Sequence, residues 1–125
     1  MDDVIYTIFA DGGEKKSIAY GSFKIFSDYG EQITHKQLIY GEATSNLAEY
    51  FTLQNALKYC INHGIKRAVV FMDSALVVYQ TRGIWKCNFE HLQRAIDETR
   101  ELMKSFDYIR LRHVKRNFLV QMLGH

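Results

Sequence analysis

Residues 44–64 read TSNLAEYFTLQNALKYCINHG, and the spacing within them decides how the rest of the chain is read. Leu53, Ala56, Leu57, Cys60 and Ile61 recur at i, i+3, i+4, i+7 and i+8, the single apolar stripe of an amphipathic helix. Thr44, Ser45 and Asn46 form a start signal, and Asn62-His63-Gly64 a stop. Glu49 lies four residues before Leu53, so it continues the stripe toward the start of the helix. An ionised carboxylate turned toward the interior is costly unless it is paired or bound to a metal. The helix therefore poses a chemical question as well as a structural one.

Upstream, VIYTIFA (residues 4–10) is largely apolar on both faces, which predicts a central strand. SIAYGSFKIF and QITHKQLIY alternate apolar and polar residues around the turn-like SDYGE, a hairpin with one wet face. Downstream, RAVVFM (67–72) reads as a second buried strand and SALVVYQTRG as a short helix. NFEHLQRAIDETRELMKSF reads as a longer helix with Phe89, Leu92, Ile96, Leu102, Met103 and Phe106 as its apolar residues. YIRLRHV (108–114) is a last strand, and NFLVQML opens a final helix. The order β-β-β-α-β-α-α-β-α predicts an α/β fold. Three strands joined antiparallel are followed by strands made parallel through right-handed crossovers, in a mixed sheet flanked by helices.

With 125 residues, 47% of them hydrophobic and 24% charged, the chain suits one compact domain over residues 1–125. No segment approaches the roughly 18 uninterrupted apolar residues of a membrane span. The start, MDDVIYT, is acidic and runs straight into a strand pattern, which argues against a secretory signal. Of the two cysteines, Cys60 falls on the helix stripe and reads as a buried free thiol. Sparse cysteine without a signal points to a reducing, cytoplasmic setting. The net charge of +2 does not by itself advertise a polyanionic partner. RLRHVKR (110–116) and the TRGIWK segment, with Arg82 and Lys86 beside the only tryptophan, have two readings. One is a track for phosphates; the other is a solvated strand edge that discourages aggregation.

Three acids fall at telling places. Asp11 follows the first buried strand in FADGG, Asp73 follows the second in VVFMDS, and Glu49 lies on the inward stripe of the helix between them. Ligands of open α/β sheets gather beyond the carboxyl ends of parallel strands. If the first and fourth strands are neighbours, Asp11 and Asp73 meet there and Glu49 reaches them from the crossover helix. Clustered carboxylates raise one another's pKa unless a cation intervenes, and oxygen-only donors suit Mg²⁺ or Mn²⁺. Singly, each acid has a plainer reading: Asp11 as a turn residue, Asp73 as a helix cap, Glu49 as a first-turn charge favoured by the helix dipole. Side chains far apart, or locked to arginine or lysine, would remove the case for a metal site.

FADGG, TSNLAEY, VVFMDS and HVKRN, in this order and at these distances, resemble the type 1 ribonuclease H family. The likeness covers nearly the whole chain, and its specificity lies in the combination. It implies a five-stranded mixed sheet and a divalent-metal-dependent endonuclease that hydrolyses the RNA strand of RNA–DNA hybrids with two ions, Mg²⁺ or Mn²⁺. It makes Asp11, Glu49 and Asp73 metal ligands, with Asp11 as the natural bridge. It also places Gly12, Thr44 and Asn46 at the nucleic acid, and Trp85 with Lys86 near the DNA strand; Thr44 and Asn46 also read as helix caps, and Trp85 equally as a core residue.

The likeness has one departure. The family pattern N-x-x-A-D-x-L meets N-F-L-V-Q-M-L here, so Asn117 and Leu123 align while Gln121 stands where the fourth aspartate would be. A glutamine carbonyl is a weaker, neutral ligand. Three carboxylates against two divalent ions leave a charge deficit, so the second ion is expected to be weakly held and activity reduced. Arg116 is assigned an electrostatic role beside the scissile phosphate. His113 and His125 are candidates for proton transfer, although His113 also reads as a core residue and His125 as a chain end. The alternative function is a catalytically impaired domain of the same fold that binds duplexes or a protein partner. The sugar-kinase and actin-like ATPases share a D-G-G-like phosphate loop, but they need a second lobe that 125 residues cannot supply. The oligomeric state stays open.

Overall fold

The computed structural model of the protein describes residues 4–124. The expectations for the first three residues and for His125 lie outside the described residues. The elements run β1 (Tyr6–Lys15), β2 (Ile18–Phe26), β3 (Gln32–Glu42), α1 (Ser45–Asn62), β4 (Arg67–Met72), α2 (Ala75–Thr81), α3 (Glu90–Met103), β5 (Tyr108–His113) and α4 (Arg116–Leu123). This is the order expected from the sequence. The five strands form one sheet in the order β3-β2-β1-β4-β5. β1, β2 and β3 pair antiparallel, whereas β1 with β4 and β4 with β5 pair parallel.

β1 is buried on both faces, and its alternation divides the core. Ile8 and Ala10 join the larger cluster, where Ile25, Val70 and Leu111 meet Leu53, Leu57, Val78 and Ile96 of the first three helices. Phe9 belongs to a smaller cluster with Leu119 and Leu123 of α4, against which Phe26 and Phe71 pack. Phe9 and Phe71 stack with ring centres 5.6 Å apart. Burying a Leu or Phe side chain is worth about 1.5–3 kcal/mol, so the larger cluster carries most of the stability and the smaller one fastens α4.

Thr44 caps α1 through a 3.2 Å hydrogen bond accepted from the Leu47 N–H. Gly64, at φ +73°, supplies the left-handed residue that turns the chain out of the helix. The buried face of α1 is wider than its apolar stripe. Gln54 donates to the Ala95 carbonyl and to Thr99 Oγ1 on α3, and Tyr50 donates to Gln80 on α2. These polar groups are tolerated inside because each has a partner.

The structure differs from the sequence reading at several residues. Ile61 is exposed although Cys60 beside it is fully buried, so the buried face of α1 ends at Cys60. Phe89 is also exposed and serves as the N-terminal boundary residue of α3. β1 does not end at Ala10 but runs on to Lys15, because Asp11 through Lys15 continue the antiparallel ladder with β2. No described helix is long and apolar enough to cross a membrane.

Candidate active site

Strand register sets the first two acids. The parallel pairing of β1 with β4 runs from Tyr6↔Ala68 to Phe9↔Phe71. Extended by two residues, that register brings Asp11 level with Asp73, just beyond the end of β4. Asp11 is therefore a strand residue paired with Ser22 rather than a turn residue. Asp73 is not the cap of α2 either, since the Ser74 side chain accepts the Val77 N–H.

Glu49 arrives through a close approach of backbones. A Cβ on Gly12 would lie 2.6 Å from the carbonyl carbon and oxygen of Ala48 and 2.7 Å from the Glu49 nitrogen. Only glycine lets β1 press this closely on the start of α1. The same contact lets the Gly12 N–H donate to the Glu49 carboxylate. Glu49 is buried, not a solvated charge of the first turn. Asp11, Glu49 and Asp73 each offer a carboxylate oxygen, and the three atoms lie within 4.8 Å of one another.

Burial, followed by the charge of Asp11, pushes the Glu49 carboxyl up to about 9, against the opposing pull of the Gly12 N–H. The trio is thus short of positive charge, and Arg116 partly supplies it. Its Nη1 donates to Asp73 Oδ2 at 2.8 Å and to Asp11 Oδ2 at 3.4 Å. The hydrogen bond to Asp73 and the charge of Asp11 raise the arginine's own pKa. The arginine lock treated above as adverse is therefore present in part. The guanidinium reaches two of the three carboxylates, and its side chain remains 66% exposed, so it enters from the surface and is not a buried structural tie. An oxygen-only cluster that already draws in a cation fits a hard divalent ion.

The remaining residues singled out in the sequence fall at the start of α1, in the loop after α2, on α4 and at the end of β5. Thr44 caps α1 and Asn46 is exposed in its first turn. Trp85 is 46% exposed, which excludes a core role; its ring lies 5.2 Å from that of Tyr79. Lys86 is exposed, and its carbonyl accepts from Gln80 Nε2. Gln121 is exposed on α4. His113 is exposed rather than a core residue, because it ends the outermost strand; its ring lies 5.8 Å from that of Tyr79.

Two supporting residues escaped the sequence reading. Buried Gln80 ties Tyr50 of α1 to the Trp85–Lys86 loop. Arg100 donates to the Thr81 and Gln80 carbonyls at the end of α2, satisfying groups that a helix terminus leaves open. Neither has a local signal, because Gln80 acts on Tyr50 thirty residues away and Arg100 on carbonyls of another helix.

Sheet order, crossover helices and the carboxylate cluster together define a ribonuclease H-like fold. Residues 15–120 match the family model described as "Reverse transcriptase-like". RNase H1 from the halophilic archaeon Halobacterium salinarum aligns with a TM-score of 0.88 at 29% identity, over 92% of this chain and 89% of that one. The N-terminal RNase H domain of a bifunctional protein from Mycobacterium tuberculosis, solved as a fusion with maltose binding protein, gives 0.86 at 28% identity over 93% and 91%. Against that whole bifunctional protein the identity is 32% over 87% of this chain, which spans only 31% of the relative's length. LC11-RNase H1, solved in complex with an RNA/DNA hybrid, shares the fold at a TM-score of 0.83 and 24% identity, over 95% of this chain and 90% of that one. The chain belongs to the type 1 ribonuclease H family.

Proposed function

We propose that residues 1–125 form a single domain that hydrolyses the RNA strand of RNA–DNA hybrids with the help of divalent ions held at Asp11, Glu49 and Asp73. The observation that carries this reading is the convergence of the three carboxylates within 4.8 Å, where Asp11 on β1 lies level with Asp73 just beyond the carboxyl end of β4. The family, and a hybrid-bound relative of the same fold, support the substrate class. Mg²⁺ or Mn²⁺ supplies Lewis acidity toward the phosphodiester and lowers the pKa of the attacking water.

The protein's own groups hold and orient. Thr44, Asn46 and the first N–H groups of α1 offer donors to a backbone phosphate, and Gly12, by seating β1 against the start of α1, holds these donors beside the acids. Trp85 gives an apolar face and Lys86 a charge to the DNA strand. Arg116 stands ready to meet the charge of the scissile phosphate. Gln121 contributes at most a neutral carbonyl, so one ion is held well and a second only weakly.

Cleavage of a labelled hybrid, titrated with Mg²⁺ and with Mn²⁺, tests the reading. Asp11→Asn should lower the rate by at least about 10³-fold, since metal-supplied charge stabilisation is worth several kcal/mol. No cleavage with either ion, in wild type and Gln121→Asp alike, would leave the second reading, a duplex- or partner-binding domain. Gln121 and the arginine lock on Asp11 and Asp73 favour that reading. It requires hybrid binding that ignores Asp11→Asn and a melting temperature that ignores Mn²⁺.

A further inference from the structure

We propose that Arg116 is an exchangeable internal counter-ion: it occupies Asp11 and Asp73 until a divalent cation takes them, and then transfers to the substrate's phosphate. The inference rests on the reading of the three acids as a cation site and adds a control on when that site fills.

Three observations carry it. First, a single nitrogen, Nη1, is shared between two carboxylates at 2.8 and 3.4 Å. The strong arginine–carboxylate arrangement uses two parallel N–H···O bonds from the guanidinium fork to one partner, and this shared geometry is easier to give up. Second, the backbone at this point is fixed while the side chain is not. Arg116 is the first residue of α4, which Leu119 and Leu123 anchor fully in the Phe9 cluster, yet its side chain is two-thirds exposed. The guanidinium can swing out without any movement of the helix. Third, a guanidinium and a divalent ion would draw on the same two carboxylates and repel each other, so their occupancy is competitive.

Exchange has a direction because each group has a better partner available. Carboxylates gain by taking a doubly charged hard cation, and arginine is matched to phosphate geometry. Metal binding should therefore free Arg116 for the nucleic acid, and nucleic acid that captures Arg116 should raise metal affinity, as reciprocity of coupled binding demands. The arginine would keep the acids quiet in the free protein and couple cation uptake to substrate arrival.

Calorimetric titration of the folded chain with Mn²⁺, without nucleic acid, tests this independently of catalysis. Arg116→Ala should bind Mn²⁺ roughly tenfold more tightly than wild type, with Arg116→Gln behaving alike and Arg116→Lys closer to wild type. Circular dichroism in EDTA checks folding, and the glutamine variant carries the test if the alanine one does not fold. Adding a cleavage-resistant 2′-O-methyl RNA–DNA hybrid should tighten Mn²⁺ binding more in wild type than in Arg116→Ala. Unchanged or weaker Mn²⁺ binding in both neutral variants, with binding abolished by Asp11→Asn, would overturn the exchange and leave the cation site standing. Absence of Mn²⁺ binding in wild type and neutral variants alike would overturn both.

Discussion

The two walls of the site are built differently. One wall is β1, β4 and α1, where Asp11 and Asp73 are set by strand register and Glu49 by the contact of Gly12 with Ala48. All of it is continuous with the larger core cluster. The other wall is α4, held by Phe9, Leu119 and Leu123, whose first residue Arg116 reaches Asp11 and Asp73; Gln121 is exposed further along the same helix. The first wall cannot change without disturbing the fold. The second can exchange its polar residues at little structural cost, which is why the departure at Gln121 is compatible with an otherwise intact fold.

The largest contrast should appear with pH in the metal-free protein. Glu49 ordinarily titrates near 4.5 and is carried up to about 9 by burial and by Asp11. Between those values the folded chain keeps a proton that the unfolded chain has released. Stability should therefore fall as pH rises from about 4.5 to about 9, by on the order of a few kcal/mol. Urea midpoints in EDTA across that range, compared with Glu49→Gln, check it; equal slopes in the two proteins would locate the strain outside the first wall. Next in size, Gly12→Ala should cost about 3 kcal/mol, because the new methyl meets backbone rather than a yielding side chain. An alanine tolerated in chemical melts would show that α1 can move away from β1.

On the second wall, Leu119→Ala should cost about 2 kcal/mol, the low end for a buried leucine, because its cluster is small. Scanning calorimetry measures the loss, and hybrid cleavage should fall less than with Asp11→Asn. The smallest effect is expected from Gln121→Asp: stability within about 0.5 kcal/mol of wild type, and cleavage at low Mg²⁺ raised by about tenfold, equivalent to one charge-assisted ligand. A magnesium titration that superimposes on wild type would mean that position 121 does not reach the site.

Much of the first wall was legible in the sequence. RAVVFM matches β4 residue for residue, Thr44 caps α1 as its start signal implied, and Glu49 is buried as its place on the stripe required. The extension of β1 through Lys15 was not legible, because DGGEK has no apolar alternation and is held by backbone pairing to β2. Ile61 and Phe89 misled for a related reason: periodicity gives a helix face but not the residue at which its buried part begins or ends, and both lie at that margin. Arg116 could be singled out from its neighbours, yet its grip on two acids more than 40 residues away depends on how α4 is docked. Likewise the plain readings of Asp11 and Asp73 could be excluded only once their hydrogen-bonded neighbours were in view.

The pairing of Phe9 with Phe71 has a consequence for how this site can be altered by mutation or by design. Side chains on a strand alternate between faces, so sliding β1 by one residue would send Asp11 to the opposite side. Pairing of this kind moves in whole steps, with no half-measures available to selection or to an engineer. Fine adjustment of turnover has to come from elsewhere, and the docked C-terminal helix is the part free to provide it.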